Sequence, residues 1–306
     1  MKGIILKMSN GITIYEYIFG FTNSIKNKIS WFIKYKHTFK NYFEVVNKIR
    51  NNKFPINGIL KNGKNVNIKS IDHGALLSLL ESNTNLKYLE NEDELIIKEF
   101  DNKEIHIFGI MRNIDAIFTF DQNPTYKFLP VKNKIIVDIG ASIGDTSIYF
   151  ALKGASKVIA IEPYPKNFDL AKKNILKNKL DKKITIILGG AGSINKTITV
   201  DPNYESSMRS KLKNFEVGIK VPIYSLETIT DEYNIENGIL KMDCEECEYE
   251  AILTASASTL QKFSHIQIEY HKGFNKLKKK LVESGFKINE IKIENQNYGY
   301  ISALKI

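Results

Sequence analysis

Val137-Asp138-Ile139-Gly140-Ala141-Ser142-Ile143-Gly144-Asp145-Thr146 decides how this chain is read. Ile135-Ile136-Val137 is an apolar run of strand length and Thr146 to Lys153 has a helical pattern, so both glycines fall in a strand-to-helix bend. At such a bend the backbone can approach a ligand closely. A dinucleotide fingerprint needs glycines at G-x-G-x-x-G. Here Ser142 takes the middle place, and the next Gly comes four after the first. Asp138, two before Gly140, would repel a pyrophosphate and attract a cofactor bearing a cationic amine.

Outward from this bend the chain alternates. Val158 to Ile161, Ile184 to Leu188, Ile239 to Met242 and His265 to Tyr270 read as strands. Lys166 to Asn178, Tyr249 to Phe263 and Asn275 to Ser284 read as helices. Strands alternating with crossover helices imply a parallel sheet covered on both faces. Lys287 to Ile293 and Tyr300 to Leu304, joined by Glu294-Asn295-Gln296-Asn297, read instead as an antiparallel hairpin at the sheet edge. Glu162 ends the second strand, 24 residues after Asp138, where a carboxylate can accept both hydroxyl hydrogens of a ribose. Tyr164 stands just beyond, between Pro163 and Pro165, either to flank an adenine ring or to pack on those prolines.

With these acids and glycines, the chain resembles class I S-adenosylmethionine-dependent methyltransferases. Lys241-Met242-Asp243-Cys244-Glu245-Glu246-Cys247-Glu248 narrows the resemblance to the FkbM family, whose signature is K-x-D-x-E-G-x-E. Lys241, Asp243, Glu245 and Glu248 match it, and Glu246 replaces the Gly. Tyr224 to Ile229 and Ile266 to His271 are similar to that family too. The resemblance implies a Rossmann-like α/β sheet of seven strands, six parallel and one antiparallel, over residues 125–306. It also implies S-adenosylmethionine as cofactor, and O-methylation of a sugar, glycan, lipid or secondary-metabolite hydroxyl. The candidate cofactor residues are Asp138, Gly140, Gly144, Asp145, Glu162 and Tyr164. The candidate catalytic residues are Asp243, Glu245 and His271, the last at a strand end where it can act as a general base or bond locally. Glu246 forbids the positive φ that Gly would permit, so it is expected in an ordinary solvent-facing turn.

Cys244 and Cys247 form C-x-x-C, but a structural zinc site wants four ligands and there is no second Cys pair. No metal is assigned, and the pair is expected to pack within the signature. Two cysteines make no disulfide framework, so a reducing cytoplasm is the natural setting. The first seven residues lack the apolar length of a secretory signal, and no apolar run approaches the ~20 residues of a membrane span.

Residues 1–124 read as a smaller α+β region without a motif of its own. Lys61-Asn62-Gly63-Lys64 and Asp101-Asn102 signal hairpins, the first with the Asn-Gly pair of a type I′ turn. Apolar residues at 25, 29, 32, 39, 43, 46 and 49 give one amphipathic helix over about 25–49. Residues 1–60 hold ten Lys/Arg against two Glu, which is most of the net +10 of the whole chain. That helix packs on a neighbour or touches an acidic membrane surface. With only three Arg (50, 112 and 209), nucleic-acid reading is disfavoured. Asp201 to Lys220 interrupts the α/β rhythm and could bring Arg209 to a substrate. Two other readings compete: a tRNA or rRNA methyltransferase gripping phosphates with the basic segment, and a membrane-surface adaptor with a vestigial cofactor pocket. Oligomeric state is not legible in these residues.

Overall fold

The computed structural model describes residues 25–120, 126, 128–203, 213–294 and 297–306. The chain divides into two compact units, Met1–Ile105 and His106–Ile306. Arg209 and the middle of the 201–220 interruption lie outside the described residues, as do Asn295 and Gln296 of the final hairpin. Among the described residues no helix is long and apolar enough to cross a membrane.

In the first unit, two helices, Ile25–Thr38 and Tyr42–Arg50, stand where the periodicity predicts one. The break has a local cause. Phe39 bridges to Leu60, Lys40 N–H donates to the Ile59 carbonyl, and the Asn41 side chain accepts from Ile59 N–H. Three residues thus leave the helix to satisfy the edge of β1 (Ile56–Ile59), which pairs antiparallel with β2 (Asn65–Ile68). Tyr35, Phe39, Val45, Val46, Ile49, Ile56 and Ile68 form the buried core of this unit. Beyond the helix Ile71–Ser82 comes a three-stranded sheet of β3 (Leu86–Leu89), β4 (Glu94–Phe100) and β5 (Lys103–Phe108). Of the two expected hairpin turns, the mirror-image backbone falls on Asp101-Asn102, where both φ values are positive. At Asn62-Gly63 only Gly63 is left-handed, so that turn is not type I′.

The second unit carries the sheet. Its main strands are β6 (Ile135–Ile139), β7 (Lys157–Glu162), β8 (Ile184–Leu188), β12 (Gly238–Met242), β13 (Phe263–Tyr270), β14 (Phe286–Ile293) and β15 (Gly299–Lys305). They lie in the order β14-β15-β13-β12-β6-β7-β8. All neighbours are parallel except across β15, which runs antiparallel to both β13 and β14. Six strands therefore share one direction and one opposes them, as the sequence leads one to expect. Val137, Ile139, Ile159, Leu240, Met242, Ile266 and Ile268 are all essentially unexposed, as strands covered on both faces must be. β9 (Gly190–Ala191), β10 (Lys196–Val200) and β11 (Ile219–Tyr224) make a separate three-stranded sheet, with β10 and the antiparallel β11 on either side of the interruption at 201–220. The helix expected over 249–263 is two, Cys247–Thr254 and Ala257–Leu260. Ala255 turns extended, and the Ser256 hydroxyl accepts from Thr259 N–H to cap a new start.

Candidate active site

The central strands β6 and β12 each carry a charge through the middle of the sheet. Their register places Asp138 beside Lys241. Lys241 Nζ lies 2.9 Å from Asp138 Oδ1, both side chains being 2% exposed or less, and donates to the Gly140 carbonyl at 3.0 Å. Thr146 and Ser147 hydroxyls each donate to Asp138 Oδ2 at 2.6 Å. Burial alone would lower the Lys241 pKa, but Asp138 and Asp243 beside it raise it, so the ammonium is charged. Asp138 is thus engaged by a buried cation and by the first turn of the helix Asp145–Leu152.

Gly140 is left-handed (φ 77°), and a Cβ there would fall 1.7 Å from the Asp243 carbonyl oxygen. The bend after β6 is therefore pressed against the residue that follows β12, a contact only Gly allows. Gly144, also left-handed, lets the following helix approach Ala171. Asp145 is buried and accepts from the Thr119 hydroxyl at 2.7 Å, with burial raising its pKa. Like Asp138, it is used internally.

Glu162, at the carboxyl end of β7, accepts from Ser142 N–H at 2.8 Å and from Tyr164 N–H at 3.0 Å. Burial outweighs these bonds and pushes its pKa up to about 7. The carboxylate is tied to the glycine bend yet lies at the rim of the sheet. Tyr164 is 5% exposed and packs with Ile198, Val200, Val221 and Ile223 of β10 and β11.

At the ends of β12 and β13 the acids gather. Asp243, Glu269 and His271 each bring one ligand-type atom within 4.8 Å of the others. Glu248, fully buried, accepts from His271 backbone N–H at 3.1 Å and from its Nδ1 at 3.0 Å. His271 Nε2 faces Glu245 Oε2 at 3.5 Å and Glu269 Oε1 at 3.6 Å. Burial would lower the imidazole pKa, but Glu248, Glu269 and Glu245 push it up to about 11. Burial and the Glu269 charge raise the Asp243 carboxyl well above its usual range. At Glu269 burial acts the same way, but hydrogen bonds from His271, Tyr298 and Tyr300 outweigh it and hold the carboxyl low. The Tyr298 ring lies 5.6 Å from that of His271. The structure brings Asp243, Glu245 and His271 together, but His271 charged among carboxylates is a poor general base. Glu269 and Tyr298 stand outside the candidate residues, and Glu248 enters there only as a match to the signature. The signal for Glu269 was a carboxylate two residues before His271 near the end of a parallel strand; for Tyr298 there was none.

The loop Asp243–Cys247 departs from expectation twice. A disulfide joins Cys244 and Cys247, with Cα atoms 5.5 Å apart, where two packed thiols were expected. Between them Glu245 (φ 53°) and Glu246 (φ 87°) are both left-handed. These two turns fold the chain back so that the cysteines meet. Glu246 adopts the conformation reserved for the signature's Gly and pairs with Lys272 instead of turning freely to solvent. A left-handed non-Gly residue costs roughly 1–2 kcal/mol, and an ion pair with a half-exposed Lys returns little. Glu246→Gly should therefore raise the unfolding free energy by about 1 kcal/mol. Urea denaturation would check this; equal or lower stability would show that the Lys272 pair outweighs the strain.

The model of the Methyltransferase FkbM domain family matches residues 138–301 of this chain. A ribosomal protein L11 methyltransferase of Carboxydothermus hydrogenoformans is 32% identical over 80 residues, 26% of this chain and 25% of that protein. The chain thus spans about a quarter of that curated relative. The crystal structure of a methyltransferase FkbM from Methylobacillus flagellatus is 19% identical, with a TM-score of 0.41 over 56% of this chain and 43% of that one. TrmK of M. capricolum, solved with S-adenosylhomocysteine, is 18% identical at a TM-score of 0.37, over 61% of this chain and 68% of its own.

Proposed function

Since this chain belongs to the FkbM methyltransferase family, we propose that it methylates a hydroxyl of an uncharged polyhydroxylated acceptor, a sugar or glycan. Its cofactor is S-adenosylmethionine, which supplies an activated sulfonium methyl. The residues present fit that cofactor. The Gly140–Gly144 bend has left-handed backbone at 140, 142 and 144, and Glu162 stands at the next strand end for the ribose hydroxyls. With Asp138 paired to Lys241, the negative charge that favours a cationic amino-acid end comes from Glu269, held ionised by its donors beside Asp243, whose backbone abuts Gly140. When bound, S-adenosylmethionine would supply the methyl carbon and take back the carbon–sulfur electron pair, and the acids at the ends of β12 and β13 would orient the acceptor oxygen toward it. The hydroxyl proton passes to a carboxylate of the Asp243–Glu245–Glu269 group, and holding the partners in line provides much of the acceleration.

One observation carries the choice of acceptor: Asp243 and Glu269 face each other within 4.8 Å, with Glu245 beside them. Carboxylates that close suit neutral hydroxyls, which donate to them, and repel phosphates. The test has two arms. Calorimetry with S-adenosylhomocysteine should show affinity falling about 25-fold from pH 7.5 to 5.5, because Glu162 holds a proton below its pKa of about 7 and then accepts fewer ribose hydrogen bonds. Glu162→Gln should flatten that dependence. Labelled methyl should reach oligosaccharides in preference to RNA; transfer to RNA that weakens steeply with salt would replace the sugar reading with a nucleic-acid one.

A further inference from the structure

The polar groups at the ends of β12 and β13 do more than surround a hydroxyl. His271 is held from behind: Nδ1 donates to Glu248, a carboxylate with no exposed surface. A ring fixed in this way must aim Nε2 in one direction. That nitrogen is buried and points among carboxylates, with Glu245 at 3.5 Å and Glu269 at 3.6 Å. Asp243 completes the set from the neighbouring strand, its ligand oxygen within 4.8 Å of those of Glu269 and His271. An imidazole whose far nitrogen is anchored on a buried carboxylate, with its near nitrogen facing oxygens from two strands, is the arrangement metal-binding histidines adopt. The three side chains are only partly buried, so an ion can enter from solvent.

We propose that Asp243, Glu269 and His271 Nε2 bind one divalent cation of the oxygen-preferring class, Mg2+ or Mn2+, the ion displacing the Nε2 proton to solvent, with Glu248 as the positioning residue behind His271. Two carboxylates and a single imidazole favour these ions over thiolate-seeking ones. Three protein ligands leave coordination positions open, and the site lies where the proposed acceptor hydroxyl would approach. The proposal therefore deepens the methyltransferase reading and rests on it for its purpose, though not for its ligands.

The test uses the whole chain freed of metal by chelation, with Mn2+ as the probe. Free Mn2+ gives a six-line paramagnetic resonance signal that vanishes on binding. One equivalent should be taken up, and Asp243→Asn, Glu269→Gln and His271→Gln should each weaken uptake at least tenfold. Glu248→Gln should weaken it less. Glu290→Gln, on exposed β14, should leave it unchanged. Thermal melting without metal identifies any variant that fails to fold, and Glu269→Asp, which keeps the charge, then stands in for it with the same expected loss. No uptake at millimolar Mn2+, or uptake indifferent to all three ligand variants, overturns the site. S-adenosylhomocysteine titration of the same samples separates the two readings: Mn2+ bound without cofactor affinity would remove the methyltransferase function and keep the ion.

Discussion

Lys241→Met should destabilise the fold by about 3–5 kcal/mol, the usual loss when one partner of a buried ion pair is removed. Asp138 would then stand in the centre of the sheet with two hydroxyls but no cation, and the Gly140 carbonyl would lose its donor. The unfolding midpoint in urea reads the loss directly. Asp138→Asn should be costly for the complementary reason, leaving an ammonium without its counter-charge. The double variant Asp138→Asn/Lys241→Met should be more stable than the sum of the single losses by about 2 kcal/mol, since neither charge is then left alone. Strict additivity would mean that the two side chains do not act as a pair. Because Asp138 is enclosed, any loss of cofactor affinity in these variants should accompany instability and not replace it.

Asp243→Asn and Glu269→Gln should each lower kcat by about 10²–10⁴-fold, the range for losing a group that handles a proton in the transition state. Affinity for S-adenosylhomocysteine should change by less than about threefold in Glu269→Gln, whose side chain sits one strand further from the glycine bend. The two carboxyls are unlike: burial and its neighbour's charge raise the Asp243 carboxyl, while donors hold that of Glu269 low. Groups pushed apart in this way divide the roles of hydrogen-bond donor and proton acceptor. If Glu269→Gln keeps full turnover, the proton leaves by another route and Glu245 becomes the carboxylate to examine.

Much of this was legible in the chain. Short Val/Ile runs alternating with amphipathic helices leave few topologies, and the closing pair of strands without an intervening helix gave the odd direction of β15. The glycine bend and the acids at strand ends were legible because each residue type fits a backbone or charge requirement. Pairings between strands distant in sequence were not. Asp138 and Lys241 are 103 residues apart and meet only through the register of β6 and β12. A lone Lys between Leu240 and Met242 was the available signal, since a charge inside an apolar strand must have a partner. Glu246 misled for an energetic reason: a steric preference of 1–2 kcal/mol is a tendency that the surrounding fold can override. The break in the first amphipathic helix came from hydrogen bonds to β1, which periodicity does not record.

The position of β15 has a bearing on how the molecule comes into being. Residues 299–305 occupy an interior place, wedged between β13 and β14, although they follow the other six strands of this sheet in the chain. A ribosome that has delivered the chain as far as residue 293 therefore holds an unfinished sheet, its apolar rows still open to whatever passes. Completion must wait for those seven residues to emerge and thread into the gap, and until then the nascent chain is a natural client for chaperones.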